Sequence, residues 1–330
     1  MKKTRKVFVI LCIIFSSLFL LLSFATLFYF YADSYDDFFA RAEKSVNIPG
    51  IEDGFTQQGF TYVENKDMFA FSGYMNNSSL PSRIYFVDSA DQTVKYVTLK
   101  FKGEDYFGHA GGLAFYENLF WLAGTDGIVY TFYLSDCLNA ENGGAVDIKD
   151  SFNVGNNADF CSVVNNTLYI GEFYRAGNYE TDKSHHIECA DGINKALVYS
   201  YEIDENSFGG VQSLVPNSAL SIPNLVQGMT ITDSGKIVLS TSYSIPNSTI
   251  YVYKNVFSKQ AEKSILIENN LVPLYVLDSE VLEEKISAPC MTEDLDYVDG
   301  KVYISFESAC KKYSLFVREQ VPNVYSIKID

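Results

Sequence analysis

No Cys-x-x-Cys pair occurs in this chain, so neither a zinc ribbon nor a thioredoxin-like redox site is indicated. Gly-x-Ser-x-Gly, a Walker loop and His-Glu-x-x-His are missing too. The familiar sequence marks of a serine hydrolase, a nucleotide hydrolase and a zinc peptidase are therefore absent. Histidine is scarce, at three residues, and no recognisable motif sets a serine or cysteine nucleophile beside any of them. No proline- or glycine-rich linker divides the chain, whose length suits one domain after an N-terminal segment. Basic residues are few, 25 Lys and Arg against 41 Asp and Glu. The formal charge of −16 becomes −20 once the four basic residues before Asp33 are set aside. Such a surface opposes nucleic acid and anionic lipid and is compatible with cations or basic partners.

What is present begins with Lys2, Lys3, Arg5 and Lys6, followed by an uncharged stretch from Val7 to Ala32 rich in Leu, Ile and Phe. A membrane-spanning helix needs about 20 apolar residues, and positive flanks stay in the cytoplasm. The expectation is a cytoplasmic N-terminus over 1–6, a signal-anchor over 7–32, a juxtamembrane stalk over 33–44 and an extracytoplasmic domain over 45–330. A cleaved signal peptide is the competing reading, but its apolar region is shorter, about 7–15 residues. Five cysteines lie outside the span, an odd number where disulfides can persist. The expected bridge is Cys290–Cys310, on the ends of paired strands, with Cys161–Cys189 as a second pairing.

Five times a three-strand phrase recurs. First strands read Gln58-Gly-Phe-Thr-Tyr-Val, Gly111-Gly-Leu-Ala-Phe-Tyr, Asp159-Phe-Cys-Ser-Val-Val, Gln227-Gly-Met-Thr-Ile-Thr and Glu293-Asp-Leu-Asp-Tyr-Val. Third strands carry a β-branched residue before Tyr85, Tyr130, Tyr199, Tyr251 and Tyr325. Repeats of roughly 40 to 50 residues built from short antiparallel strands mean an all-β fold, a β-propeller. Five blades are expected, with six as the alternative if 205–222 or 256–286 forms its own sheet. Fourth strands are placed at Val94–Leu99, Val146–Val154, a stretch ending at Ile222, and Val272–Leu277. The fifth repeat lacks one, and Ser45–Ile51 is the natural donor, because closure removes an open edge.

First strands enter from one mouth of the central channel and second strands end there. That brings together Gln58, His109, Asp159, Gln227 and Glu293 with Glu172, Tyr174, Tyr243 and Glu307. The long insertions at 174–195 and 307–322 fall on the same face, and the first is expected to roof the mouth. The opposite face is expected to have fewer converging polar groups. Carboxylates around one funnel repel unless a cation or donor sits between them, and calcium, which takes six to eight oxygens, would suit Glu172, Glu293 and Glu307. Hydrogen bonds to neighbouring blades or channel waters are the plainer reading of the same side chains. Gln58 and His109 stand where a glycosidase's acidic pair would be expected, which counts against that chemistry. The cluster His185-His186-Ile187-Glu188-Cys189 reads as a polar loop rather than a metal site.

The run Gln58-Gly-Phe-Thr-Tyr, Ser82-Arg-Ile-Tyr-Phe-Val-Asp88 and Val94-Lys-Tyr-Val-Thr-Leu99 resembles the bacterial exported YncE-like and YVTN-type propellers. Gln227-Gly-Met-Thr-Ile-Thr is more distantly similar to the gluconolactonase and strictosidine-synthase group. The second likeness implies a divalent cation held at the channel by Glu, Asn and Asp. Two function classes follow. One is a membrane-tethered extracytoplasmic binding or scaffold propeller taking a protein, peptide or glycan at its mouth; the other is a metal-dependent hydrolase of the lactonase type.

Overall fold

The computed structural model describes residues 2–31, 35–315 and 317–329. After the helix Lys2–Tyr31 and a short helix Asp36–Arg41, the chain builds five antiparallel blades. Blade I runs through Phe55–Val63, Met68–Met75, Arg83–Asp88 and Val94–Phe101, and blade II through Gly112–Tyr116, Leu119–Ala123, Ile128–Tyr133 and Asp150–Asn153. Blade III comprises Phe160–Val164, Thr167–Gly171, Ala196–Glu202 and Ser218–Ile222, and blade IV Val226–Ile231, Ile237–Thr241, Ser248–Tyr253 and Leu282–Ala288. Blade V takes Thr292–Val298, Lys301–Phe306 and Asn323–Ile327, and its outer strand is Ala42–Asn47 from the far end of the chain. Ala42 pairs with Ile327 and Asn47 with Asn323. The donor is therefore N-terminal to the expected 45–51, and 36–44 belongs to the fold rather than to a stalk.

The six-blade alternative is not realised. Phe208–Gly210 is a turn, and the two strands Lys263–Ile267 and Asn270–Val276 widen blade III, the second lying parallel to Ser218–Ile222. Val272–Leu277 is thus not the fourth strand of blade IV. That place goes to Leu282–Ala288, whose Leu-Glu-Glu-Lys-Ile-Ser-Ala sequence alternates because one face meets solvent. Expected strand 146–154 is likewise split, Ala145–Asp147 pairing parallel with blade I's edge and only Asp150–Asn153 completing blade II.

Five blades bring the first strands close about the axis. A Cβ on Gly59 would stand 2.6 Å from Leu113 N, one on Gly112 2.6 Å from Phe160 Cα, and one on Gly228 2.7 Å from Asp294 Cα. Real Cβ atoms do not come that near, so glycine is what lets neighbouring first strands touch. Asp294 seals the centre: its Oδ2 accepts from Phe60 N (3.1 Å) and Leu113 N (3.4 Å), and its Oδ1 from Leu295 N (3.0 Å). One buried carboxylate thus ties blades V, I and II. Between blades the cores are aromatic, with Trp121 fully buried and its Nε1 donating to Gly209 O at 2.8 Å.

Candidate functional site

Three first strands bulge at the mouth, with register shifts between Gln57 and Gly59, Val226 and Gly228, and Thr292 and Leu295. A bulge re-aims a side chain that strict alternation would send into the blade. At these bulges stand Gln58, Gln227 and Glu293, which meet Glu307 from the residue following the second strand of blade V. Gln58 Nε2 donates to Glu307 Oε2 at 2.9 Å, and Gln227 Nε2 approaches Glu293 Oε1 at 3.5 Å. The Glu293 and Glu307 carboxyl groups lie close enough to interact, and burial favours a proton on the pair. Burial pushes both pKa values up, and their mutual repulsion raises Glu293 further.

Around this pair the long 307–322 insertion contributes Lys312, which sequence reading did not single out. Its Nζ donates to Tyr74 OH at 2.7 Å and lies about 5 Å over the rings of Tyr74 and Tyr313. His109 stacks on Tyr74 with ring centroids 4.9 Å apart. One side of the imidazole remains open to solvent; the surrounding protein, with Lys312 adding repulsion, holds its pKa below the ordinary histidine range. Across the mouth Arg175 lies 3.9 Å over the ring of Tyr243, which stacks on Phe173. Asp159 Oδ2 accepts from Phe173 N at 2.7 Å, and burial pushes its pKa up to about 7.

Two expected members face elsewhere. Glu172 is 1% exposed and receives His185 Nδ1 at 2.9 Å and Leu197 N at 3.0 Å, while Tyr199 OH contacts the other ring nitrogen of His185 at 3.2 Å. Tyr174 is buried between blades III and IV, its OH accepting from Lys195 Nζ at 3.2 Å. The 174–195 segment covers the mouth only at its N-terminal end, where Arg175 lies. Its hairpin, Ile187–Cys189 with Gly192–Asn194, is pinned sideways, Ala190 N donating to Asp278 Oδ2 and Asn194 Nδ2 to Leu277 O. His185 thereby becomes a strut, and the sequence cluster around it is structural.

The donor set does not fit calcium. Glu172 stands apart from Glu293 and Glu307, the two glutamines turn nitrogen rather than oxygen toward the carboxyl pair, and Lys312 brings an ammonium to the same mouth. Among the described residues no group of three or more His, Cys, Asp and Glu is placed to hold a metal. The Cys290–Cys310 and Cys161–Cys189 bridges are not formed either. Cys290 and Cys310 are buried free thiols, and Cys161 Sγ donates to Trp121 O at 3.4 Å.

A cavity of about 1220 Å³ opens at the opposite end of the sealed axis. Glu64, Glu117, Asp233, Asp296 and Asp299 line it among aromatic side chains, and no Lys, Arg or His does. That face is richer in converging polar groups than the sequence suggested. Asp296 at its floor accepts from Tyr62 N, Thr61 Oγ1 and Tyr297 N, so this carboxylate is already occupied.

No family model matches the chain, and no curated protein sequence matches it. Its fold is similar to a luciferin-regenerating enzyme (TM-score 0.42, 9% identity, covering 87% of this chain and 95% of that one). It is also similar to glutaminyl cyclase of Myxococcus xanthus (TM-score 0.44, 10% identity, 88% and 94%) and to the WD40 propeller domain of Doa1 (TM-score 0.39, 9% identity, 88% and 97%). Likeness at this level is a likeness of propeller architecture.

Proposed function

We propose that this protein is a membrane-tethered extracytoplasmic recognition propeller that binds a hydroxyl-rich ligand, a glycan, at the mouth formed by Gln58, Gln227, Glu293 and Glu307. The observation that carries the reading is the buried Glu293–Glu307 pair, which with one proton can both donate and accept. Sugar hydroxyls do the same, and the amides of Gln58 and Gln227 add further polar groups. The rings of Tyr74 and Tyr243 are covered by His109 and Lys312 and by Phe173 and Arg175, so recognition here is by hydrogen bonds. The tether is the N-terminal helix, whose Arg5–Thr26 segment has mean hydropathy 2.9 and is long enough to span a bilayer. Positive residues before it favour a cytoplasmic N-terminus and an exported propeller.

A glycan array probed with the full chain in detergent tests this. Glu293→Gln with Glu307→Gln removes that proton while keeping size, and should weaken capture about tenfold or more, the loss of one or two charge-assisted hydrogen bonds. Thermal stability should show no calcium response in either form. Unchanged capture by the double variant would overturn the mouth as the binding site, and a calcium response lost in that variant would restore the metal-dependent reading.

A further inference from the structure

We propose that the mouth face of the propeller lies against the outer surface of the bilayer that holds its own helix, with Phe107, Leu80 and Leu315 dipping into the interface. This rests on the tether proposed above and adds an orientation to it. The helix runs to Tyr31, and Tyr35 is already packed on the propeller. Four Cα-to-Cα steps reach at most about 15 Å. Tyr35 OH donates to Asn247 Oδ1 at 2.8 Å, and the Arg318 guanidinium lies 5.7 Å over its ring. Asn247 and Arg318 both belong to second-to-third-strand loops, so the chain joins the propeller at the rim of the mouth. The span itself ends in Phe28-Tyr29-Phe30-Tyr31, a sequence suited to the aromatic belt at a membrane surface. The belt and the mouth rim are therefore only a few residues apart.

The loops beside that junction carry exposed apolar tips. Leu315 is 85% exposed, Phe107 56% and Leu80 38%. They lie on one arc: Lys312 bonds Tyr74, Tyr74 stacks on His109, and Ser82 N and Oγ donate to Tyr106 O and Gly108 O. At the other end of the axis Glu64, Glu117, Asp233 and Asp299 line the acidic funnel. Away from the mouth loops the exposed apolar residues sit on the outer edges of blades I and III: Val94, Phe208, Leu214 and the cross-strand pair Leu266 and Leu271. Charge on the arc is mixed, Lys311 and Lys312 being accompanied by Glu52, Asp53, Glu104 and Asp105. Apolar insertion rather than attraction to anionic lipid is thus the driving term, and the partner is a zwitterionic surface. A mouth held this way receives ligands displayed at the membrane surface.

The test uses the full chain reconstituted in phosphatidylcholine vesicles whose acyl chains carry bromine near the headgroup end. Tryptophan is introduced singly at Leu315, Phe107 and, as the far-face control, Ser234; the native Trp121 is buried and supplies a constant background. Leu315→Trp and Phe107→Trp should lose about half of their added emission, since interfacial side chains sit about 5–10 Å into the boundary, while Ser234→Trp should be unaffected. Equal quenching at all three positions, quenching at Ser234→Trp alone, or none at any position overturns the proposal. An alkaline wash of the same vesicles separates the two readings: a chain that washes off refutes the tether, whereas a retained chain without quenching refutes only the docking.

Discussion

At Gly112 a single methyl group decides whether the ring can close. An alanine there would place its Cβ against Cys161 N and 2.6 Å from Phe160 Cα, backbone atoms that cannot rotate away. Gly112→Ala should therefore destabilise by about 3 kcal/mol or more, the cost of overpacking against main chain, visible as a large drop in the denaturant midpoint. Gly103→Ala is the useful contrast, because nothing lies within 4 Å of its Cβ and only its positive φ resists. The glycines were legible in sequence as part of the repeated phrase, but their role was not. Periodicity reports which way side chains point, whereas the closeness of two strands around an axis is a property of blade number. For the same reason Lys312 and Tyr74 are not legible in sequence: their meeting depends on a loop of blade V and the end of blade I's second strand arriving at one place.

Among the elements, the outer strand of blade V carries the closure. Val46 is buried there, within a core that includes Val302, Ile304, Phe306 and Ile327. Val46→Asp places an unpaired carboxylate in that core, and a loss of about 3 kcal/mol is expected. Thermal unfolding should shift down as one transition if the ring melts as a unit; an unchanged midpoint would mean that blade V does not depend on this strand. First, second and third strands were readable because each buries apolar residues at a fixed place in a recurring phrase. Of the fourth strands, those of blades I and III were readable, at Val94–Phe101 and Ser218–Ile222, whereas those of blades II and IV were not, since they lie outermost and alternate with solvent. The charged Leu282–Ala288 was passed over for the more apolar Val272–Leu277, which covers the edge of blade III instead. Of the expected mouth residues, those on bulged first strands converge, while Glu172 follows a second strand without such a bulge and is absorbed by His185.

For the molecule as a whole, buried carboxyl groups set the response to pH. Burial raises Glu293 and Glu307 and brings Asp159 to about 7 and Asp296 to about 6. Each holds its proton more tightly folded than unfolded, so above about pH 4 the unfolded chain ionises first. Stability must then fall as pH rises from there to about 7 and level off beyond, the slope following the difference in bound protons. Melting temperature should be lower at pH 8 than at pH 5, and Asp159→Asn should recover about 1 kcal/mol of that loss, allowing for the water that reaches Asp159. An Asp159→Asn profile parallel to that of the unaltered protein would count against the raised carboxyl.

The pairing of Ala42–Asn47 with Asn323–Ile327 also has a meaning in time. In a chain synthesised from its N-terminus, residues 42–47 emerge ahead of every other strand of the propeller, and their partner emerges last. Until then blades I to IV can assemble from neighbours in sequence, but blade V has nothing to zip against, and the earliest strand waits with its backbone groups unpaired. Contacts this distant in sequence form slowly. The protein would thus spend its synthesis as an open crescent, and a ribosome that stalls late would release a nearly complete molecule with two adhesive edges.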